Sequence, residues 1–353
     1  MLRYLLHSLL YGCSVLFGVI VVVFLLFHAL PGDPAAMLSG QRSDVATVEM
    51  VKKELGLDQS LGVQFAYYLN DLSPVSVHQD TPDHQKKYDY RPLFHFKSGK
   101  VLVVKAPYLR RSFQNNRPVS SILMSNIGPT LTLAFSALFI ATLIGISLGL
   151  IAGLWPRSFA DKFISVLSVF GLSVPTYVLA ILMAVIFGYY LAPYTGLNIT
   201  GQLYERNPLT GEQVLVLKNL ILPAITLSLR PLAVISQISK TAIIDVIHQD
   251  FVKTARAKGL RYYRQILIRH ILPNAMNPII SSVTNWLANL IAGAFFVEYI
   301  FDWKGIGFAT LNAVQRLDFP VVMGATLFIA SCFILINILT DLIYAIHDSR
   351  NIG

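Results

Sequence analysis

The most informative segment of the chain is a charged run at residues 245–278, set between two long apolar stretches. Its acidic residues, Asp245 and Asp250, come before its basic ones, an order that suits the dipole of a helix. Because glycine adopts positive φ without penalty, we expect this helix to end and turn at Gly259. The residue types indicate a surface helix that binds lipid or another protein.

One face of this helix carries Phe251, Val252, Ala255 and Gly259. A basic amphipathic helix can lie on anionic lipid, where it presents bulky apolar side chains. Two of these four residues are small, and small residues suit a helix that inserts into a groove of another protein. The residues leave both partners open and favour the protein.

Other constellations that carry chemistry are missing from the sequence. Gly99-Lys100 has Phe94 at the first glycine of a phosphate-binding loop and Val101 at its Ser/Thr position. There is no His-Glu-x-x-His, and Gly305-x-Gly307 lacks the third glycine of a dinucleotide fingerprint. We expect no catalytic residue, no resident metal and no cofactor bound by this chain. One group of polar residues could be read as metal ligands but suits a solvated loop better: His78, Asp80, Asp83, His84 and His95.

The composition identifies the environment in which these residues act. The chain has 353 residues, of which 54% are hydrophobic and 13% are charged, whereas a soluble domain carries about 25% charged residues. This excludes a soluble enzyme and a disordered chain, and it indicates a membrane protein. The two cysteines, Cys13 and Cys332, lie in apolar runs and provide no disulfide framework.

The apolar stretches predict an all-α polytopic membrane protein. Each of six segments has the roughly 20 mainly apolar residues that a spanning helix needs: 8–30, 127–155, 163–191, 219–244, 278–297 and 320–343. With both termini cytoplasmic, the short inside segments hold 11 Lys and Arg residues and the short outside loops hold 4, as the positive-inside rule requires.

The predicted organisation has three parts. Residues 1–30 form an uncleaved first span, residues 31–126 form a long extracytoplasmic loop, and residues 127–353 form a five-span core. Within the loop we expect helices at 44–56 and 61–72, then a polar, turn-rich stretch at 73–87. Strand patterns at 93–97 and 101–104 flank a tight turn and predict a small β-hairpin.

A stripe of small residues in the second span recurs every four positions, at Ala141, Gly145, Gly149 and Gly153. Such stripes let helices approach closely. We expect this helix to be buried in a bundle, with its stripe serving either packing inside the chain or a subunit interface.

The charged run resembles the cytoplasmic loop of ABC-importer permeases, specifically of the dipeptide/oligopeptide permease family. Ala255-Arg-Ala-Lys-Gly259-Leu and His270-x-x-x-Asn274-Ala275 are similar to that family's version of the loop motif. Lys253 and Thr254 replace the Glu-Ala of the general pattern. Further matches follow in family order along nearly the whole chain, except about residues 73–107, which look like an insertion: His28-x-x-Pro31-Gly-Asp-Pro34, Leu55-Gly-Leu-Asp58, Arg111-Ser-Phe, Pro118-Val119, Thr130-Leu-Thr-Leu133, Leu222-Pro-Ala-Ile-Thr-Leu227, Glu298-x-x-Phe301-x-Trp303-x-Gly305-x-Gly307, Asp318-x-Pro-Val-Val-x-Gly324 and Asn337-x-x-x-Asp341-Leu.

The resemblance implies a six-span subunit in a bacterial inner membrane. It pairs with a second similar permease, with two ATPase subunits that bind ATP and Mg, and with an extracytoplasmic substrate-binding protein. Its cargo would be di- or oligopeptides, with nickel or another small solute as the alternative because some relatives of the family import nickel. The segment 245–273 would be the coupling loop, whose helix docks into an ATPase groove through Asp250, Phe251, Val252, Thr254, Ala255, Arg256, Ala257, Lys258 and Gly259.

The translocation path is harder to place from sequence. Arg230 is the one charge near the middle of a predicted span, and it could contact a peptide carboxylate or bond to backbone carbonyls. Pro175 and Tyr177 are further candidates. A secondary transporter driven by an ion gradient would need more ionisable groups at mid-membrane. An intramembrane enzyme is disfavoured because Glu298 and Asp341 fall at opposite ends of their spans.

Overall fold

A computed structural model describes residues 2–29, 58–207 and 210–347. Two compact units divide the chain: unit 1 comprises Met1–Ser14, Asn126–Leu311 and Ile329–Gly353, and unit 2 comprises Val15–Ser125 and Asn312–Phe328. Most of the described residues are helical. The helix expected at 44–56 lies outside the described residues.

The described elements alternate long helices with short helices and strands. In chain order they are α1 (Leu2–Ala29), α2 (Leu61–Leu72), β1 (Val75–Gln79), α3 (Pro82–Tyr88), β2 (Arg91–His95), β3 (Lys100–Val104), α4 (Val119–Leu154), α5 (Phe159–Ser173), α6 (Thr176–Met183), the π-helical segment π1 (Ala184–Tyr190), α7 (Ala192–Thr195), β4 (Tyr204–Arg206), β5 (Gln213–Leu215), α8 (Lys218–Ile247), α9 (Asp250–Ala257), the π-helical segment π2 (Tyr262–Ile271), α10 (Leu272–Gly293), α11 (Phe295–Ile300), α12 (Ile306–Gln315) and α13 (Phe319–His347).

Four described helices contain stretches long and apolar enough to cross a membrane: Leu6–Phe27, Val119–Leu154, Lys218–Ile247 and Phe319–Leu342. Helix α5 and the segment formed by α6 and π1 (Thr176–Tyr190) add a fifth crossing if they count as one span, although they are bent by 107° at their break. The break follows from Pro175, which lacks an N–H donor and disfavours helical geometry in the residue before it.

The predicted span at 278–297 corresponds to α10, which is not among the crossing-length apolar helices of the described chain. Four asparagines lower the apolar character of α10. The described residues therefore hold four or five candidate spans, where the sequence predicts six.

The small-residue stripe of α4 packs against α8 within unit 1. A Cβ added at Gly149 would come closer than 3.0 Å to Ser239 Cβ and to the Ser236 carbonyl oxygen. A Cβ at Gly145 would lie 3.1 Å from the Ile235 side chain. This contact answers the question that the sequence left open, because the stripe serves packing inside the chain.

Unit 2 contains a three-stranded antiparallel sheet in the order β1-β3-β2. Strands β2 and β3 form the region where the sequence predicts a hairpin, with Gly99 at a φ of 73° in the turn. Strand β1 and helix α3 occupy residues 75–88, so the expectation of a merely turn-rich stretch there is wrong. The alternation in β1 is inverted, since Ser76 and His78 are buried while its two valines are exposed. We call residues 58–118 the sheet domain.

Asp71 organises a polar cluster in the sheet domain. The Tyr88 hydroxyl donates to Asp71 Oδ1 at 3.0 Å, and Arg110 Nε lies 3.6 Å from Asp71 Oδ2. Lys105 Nζ donates to the Asp71 carbonyl. Burial raises the pKa of Asp71 despite the neighbouring charge of Arg110. The cluster thus joins α2 to α3 and to the segment that follows β3.

His78 lies in this domain with its ring 4.2 Å from the Tyr88 ring, and its Nε2 lies 3.0 Å from Ser76 Oγ. Burial, followed by the charge of Lys105, lowers the pKa of His78 to about 4. The sequence suggested a solvated loop at this residue, and that expectation is wrong for His78. Among the described residues, no group of three or more His, Cys, Asp or Glu could hold a metal ion.

Candidate functional site

Helix α9 is the short helix that the sequence predicts between the fourth and fifth spans. It begins at Asp250, after an extended Gln249, and ends at Ala257. Gly259 follows with a φ of 75°, which confirms the predicted turn. The chain then enters π2 and α10, so α9 is held between α8 on one side and π2 on the other.

The inner face of α9 consists of Val252, which is completely buried, and Ala255, which is 7% exposed. Both belong to one apolar cluster with the end of α8, with π2 and with the start of α10. Its other buried members are Ala242, Ile243, Val246, Ile266, Leu267, Ile271 and Ala275.

This packing corrects the predicted use of the apolar face. Ala255 points into its own chain, so it is not free to enter a groove of a partner. Gly259 is exposed, and a Cβ there would meet nothing within 4 Å, but its positive φ strains any other residue. Bulky substitutions at these two positions would therefore disturb the chain itself.

The outward surface of α9 is formed by the exposed residues Asp250, Phe251, Lys253, Thr254, Arg256, Ala257 and Lys258. Lys253 Nζ donates to Asp250 Oδ1 at 2.8 Å. That hydrogen bond, followed by the charge of Lys253, lowers the pKa of Asp250. Phe251 adds an exposed apolar ring between the acidic start and the basic end of the helix. The arrangement presents one ring and charges of both signs, as a protein-docking surface does.

Among the path candidates, Arg230 lies in α8 with an exposed side chain. In the described residues it makes no ion pair or side-chain hydrogen bond, so no backbone carbonyl partner accompanies it there. Pro175 is exposed at the break between α5 and α6. Tyr177 is exposed two residues later, and its ring lies 5.9 Å from the Phe296 ring of α11.

A buried carboxylate, which the sequence placed only in a family motif and at one end of a span, proves to be the centre of a junction. Glu298 is completely buried in α11. The Thr130 hydroxyl donates to its Oε1 at 2.7 Å, and the Phe308 N–H donates to its Oε2 at 3.0 Å. The Ile306 N–H donates in turn to Thr130 Oγ1 at 2.8 Å. We call this group the Glu298 junction.

Two glycines and a tryptophan complete the Glu298 junction. A Cβ at Gly305 would come closer than 3.0 Å to the Glu298 carboxylate, and one at Gly307 would lie 2.6 Å from Phe295 Cα. The buried Trp303 indole N–H donates to the Pro129 carbonyl at 2.9 Å. The spacing Glu-x₄-Trp-x-Gly-x-Gly was the available signal, because paired glycines let backbone approach a buried acid.

A second junction lies in unit 2 and also joins distant motifs. Ser112 Oγ donates to Asp318 Oδ2 at 2.5 Å, and the Phe113 N–H donates to Asp318 Oδ1 at 2.9 Å. A Cβ at Gly324 would lie 2.5 Å from Val119 Cγ1. These motif residues hold distant segments of unit 2 together.

Comparisons with known proteins agree with the resemblance seen in the sequence. A model of the family described as "Binding-protein-dependent transport system inner membrane component" matches residues 145–353, and a model of the N-terminal part of such membrane components matches residues 1–86. A Brucella ovis protein named as a peptide permease is 34% identical, covering 99% of each chain.

Two relatives from Escherichia coli are similar over nearly the full length. The D,D-dipeptide transport system permease protein DdpB is 33% identical, covering 94% of this chain and 92% of that protein. The glutathione transport system permease protein GsiC is 31% identical, covering 98% and 97%. With most of its length matched in this way, the chain belongs to the family of inner membrane components of binding-protein-dependent transport systems.

Proposed function

We propose that this chain forms half of the translocation path of an ATP-binding-cassette importer for di- and oligopeptides. Separate ATPase subunits drive it through the outward surface of α9. The proposal rests on how α9 is packed. Val252 and Ala255 lie in the buried cluster shared with α8 and π2, while the other face of the helix is exposed.

This packing explains how a helix of only eight residues could transmit a displacement to the rest of the chain. Moving a two-state path from 1:99 to 99:1 requires a differential interaction of about 5.5 kcal/mol. A partner that binds Phe251 and the charged residues around it would displace α9 when it moves. Because α9 shares a buried cluster with α8, the displacement would reach α8 as well.

The proposed assembly follows the family. The chain would span a bacterial inner membrane six times, with α10 as the additional span and both termini in the cytoplasm. It would pair with a second similar permease and receive cargo from an extracytoplasmic substrate-binding protein. Two ATPase subunits would bind ATP and Mg, and this chain would bind no cofactor. The coupling residues would be those of the outward surface and the turn, from Asp250 to Gly259, with Val252 and Ala255 as the inner support.

The proposed cargo class rests on the printed names of similar proteins, which mention peptides, D,D-dipeptides and glutathione. All three carry an amino group and a carboxylate. The path candidates Arg230, Pro175 and Tyr177 are exposed in the isolated chain and would line the path. Nickel is the alternative cargo.

The test uses the assembled transporter in vesicles and the variant Ala257→Trp on the outward surface of α9. Since Ala257 is exposed, the variant should insert and fold normally, but its indole should obstruct docking of the ATPase subunits, so ATP hydrolysis and peptide uptake should fall together. Gln213→Trp, at an exposed position of β5, is the matched control and should import normally. Wild-type uptake by Ala257→Trp would contradict the proposed coupling surface.

Two further conditions separate the rival functions. Uptake that persists after ATP depletion, with the membrane potential held, would identify an ion-gradient transporter instead. Uptake of labelled nickel without uptake of labelled dipeptide would identify the metal as cargo.

A further inference from the structure

A line of mainly polar residues runs along the half of α8 that leads to α9. Its members are spaced by four, three, four and four positions, so at 100° per residue they fall within about 80° of the helix circumference. Arg230, Thr241 and Asp245 are exposed, and Val234 and Gln237 are half-buried. We call these five residues the α8 stripe.

The α8 stripe begins abruptly. On the same side of α8 but before Arg230, the residues Pro223, Thr226 and Leu227 are buried. Arg230 is therefore the first residue of this face to emerge from the packed part of the unit. The Thr241 hydroxyl donates to the Gln237 carbonyl at 3.1 Å, and in the described chain Arg230 has no ion pair or side-chain hydrogen bond.

Lipid is an unfavourable neighbour for this face. Helix α8 is one of the helices long and apolar enough to cross a membrane. A guanidinium that faces lipid near the middle of a span is costly, and intramembrane charges almost always face a bundle interior or a water-filled cavity. Three of the other four stripe residues are polar as well, so the face as a whole suits water.

The neighbouring helix break points the same way. A Cβ at Gly171 of α5 would lie 3.3 Å from the Leu229 carbonyl, next to Arg230, and α5 ends two residues later at Ser173. Broken helices at membrane depth are tolerated where they are buried in protein or line an aqueous cavity. The backbone that precedes Arg230 thus packs against the last turn of α5, just before a bend of a kind that occurs around solute sites.

We propose that the α8 stripe is a wall of the solute path and that Arg230 binds the carboxylate of the cargo. A guanidinium suits this ligand because its planar donors engage both oxygens of a carboxylate. Asp245 carries the opposite charge about 22 Å further along the helix, so attraction for an anion is confined to the Arg230 end. The inference rests on the proposed function and gives it a recognition element in this chain.

The first experiment measures access to the stripe in the assembled transporter, with Cys13 and Cys332 replaced by serine. Gln237→Cys and Thr241→Cys should react with a membrane-impermeant methanethiosulfonate. Ile221→Cys is the matched control, because Ile221 is exposed on the opposite, apolar side of α8 and should stay unreactive in lipid. If a second permease covers the stripe, neither stripe cysteine will react, and the inference is overturned.

The second measurement tests the charge of Arg230. At about 10 Å along the helix, its field should make an anionic reagent react with Gln237→Cys about 2- to 15-fold faster than a cationic one of the same size. Arg230→Gln should remove this preference and leave reactivity itself intact. A preference that is absent in the parent protein, or unchanged by Arg230→Gln, overturns the role of Arg230.

The third measurement compares uptake of a dipeptide with that of its C-terminal amide. Arg230→Gln should lower uptake of the free acid by about 10- to 100-fold relative to the amide, the range of a charge-assisted hydrogen bond, and Arg230→Lys should restore part of it. Because the same binding protein serves every variant, its selectivity cancels. Equal loss of both substrates overturns this inference alone, whereas no ATP-dependent uptake by wild type overturns the proposed function as well.

Discussion

The Glu298 junction makes a sharp prediction about a single methyl group. In Gly305→Ala the new Cβ would come closer than 3.0 Å to the carboxylate carbon and to both oxygens of Glu298. The carboxylate is completely buried and held by Thr130 Oγ1 at 2.7 Å and by the Phe308 N–H at 3.0 Å. It cannot move without weakening those hydrogen bonds, so we expect the substitution to open the junction.

The magnitude follows from the bonds that would be lost. A hydrogen bond contributes about 0.5–1.5 kcal/mol, or about 1.5–3 kcal/mol when one partner is charged, so losing two would lower the free energy of unfolding by about 1–6 kcal/mol. The upper end of this range is a large part of the roughly 5–15 kcal/mol that stabilises a folded domain. Gly293→Ala is the matched control, because a Cβ there meets nothing within 4 Å. Alanine at that helical position should be neutral or slightly stabilising.

Thermal unfolding of the full chain in nanodiscs, followed by tryptophan fluorescence, measures both variants. Trp303 reports locally, since its indole donates to the Pro129 carbonyl in the same junction. Because Glu298→Ala removes the group that the new methyl strikes, Gly305→Ala should cost much less in that background. A Tm for Gly305→Ala within about one degree of wild type, or strictly additive effects in the double variant, would refute the reasoning.

Two other features can be tested in the same preparation. Gly149→Ala must push α8 away from α4 and should lower the free energy of unfolding by about 1–3 kcal/mol. Gly128→Ala is the control, because a Cβ there has open space around it, and it should not lower the free energy of unfolding. Equal melting temperatures for the two variants would contradict the packing of the small-residue stripe of α4 against α8. The lowered pKa of His78, about 4, means that the folded sheet domain disfavours its protonation, so stability is complete above the ordinary value of 6.5 and falls as the pH drops from there toward 4. The hydrogen-exchange protection factors of the sheet domain, which are corrected for the intrinsic exchange rate at each pH, should fall over that interval in wild type and less so in His78→Gln. The difference between the two proteins isolates the histidine from other titrating groups.

Local signals in the sequence predicted local structure well. The apolar spacing at 61–72 predicted a helix, and α2 has the bounds Leu61–Leu72. The glycine at 259 predicted a turn, and its φ is 75°. Both depend on the preferences of a few neighbouring residues, which the sequence states directly.

Long-range pairing could not be predicted in the same way. The motifs around Thr130 and Glu298 were recognised separately, but 168 positions separate them, and neither motif indicates which other segment of the chain it contacts. Strand β1 was missed because its buried residues, Ser76 and His78, are polar, so alternation alone points to the wrong face. The amphipathic pattern of α9 likewise identified a face without saying that Val252 turns toward its own chain.

The buried contact of α9 offers a final test of how motion would reach the path. Val252 is completely buried in the cluster that includes Ile243 of α8 and Ile266 of π2. Val252→Ala would remove two methyl groups and weaken the packing of α9 in this cluster by about 2 kcal/mol without changing the outward surface. We expect the ATPase subunits to bind normally while more ATP is hydrolysed for each peptide imported.

The matched control for that experiment is Phe251→Ala, which alters the outward surface and leaves the buried contact of Val252 unchanged. It should weaken binding of the ATPase subunits and lower ATP hydrolysis and uptake together. The two variants therefore separate binding of the ATPase subunits from transmission of their motion to α8. If Val252→Ala keeps the wild-type ratio of ATP hydrolysed to peptide imported, the buried face of α9 does not carry the motion, and another contact must move α8.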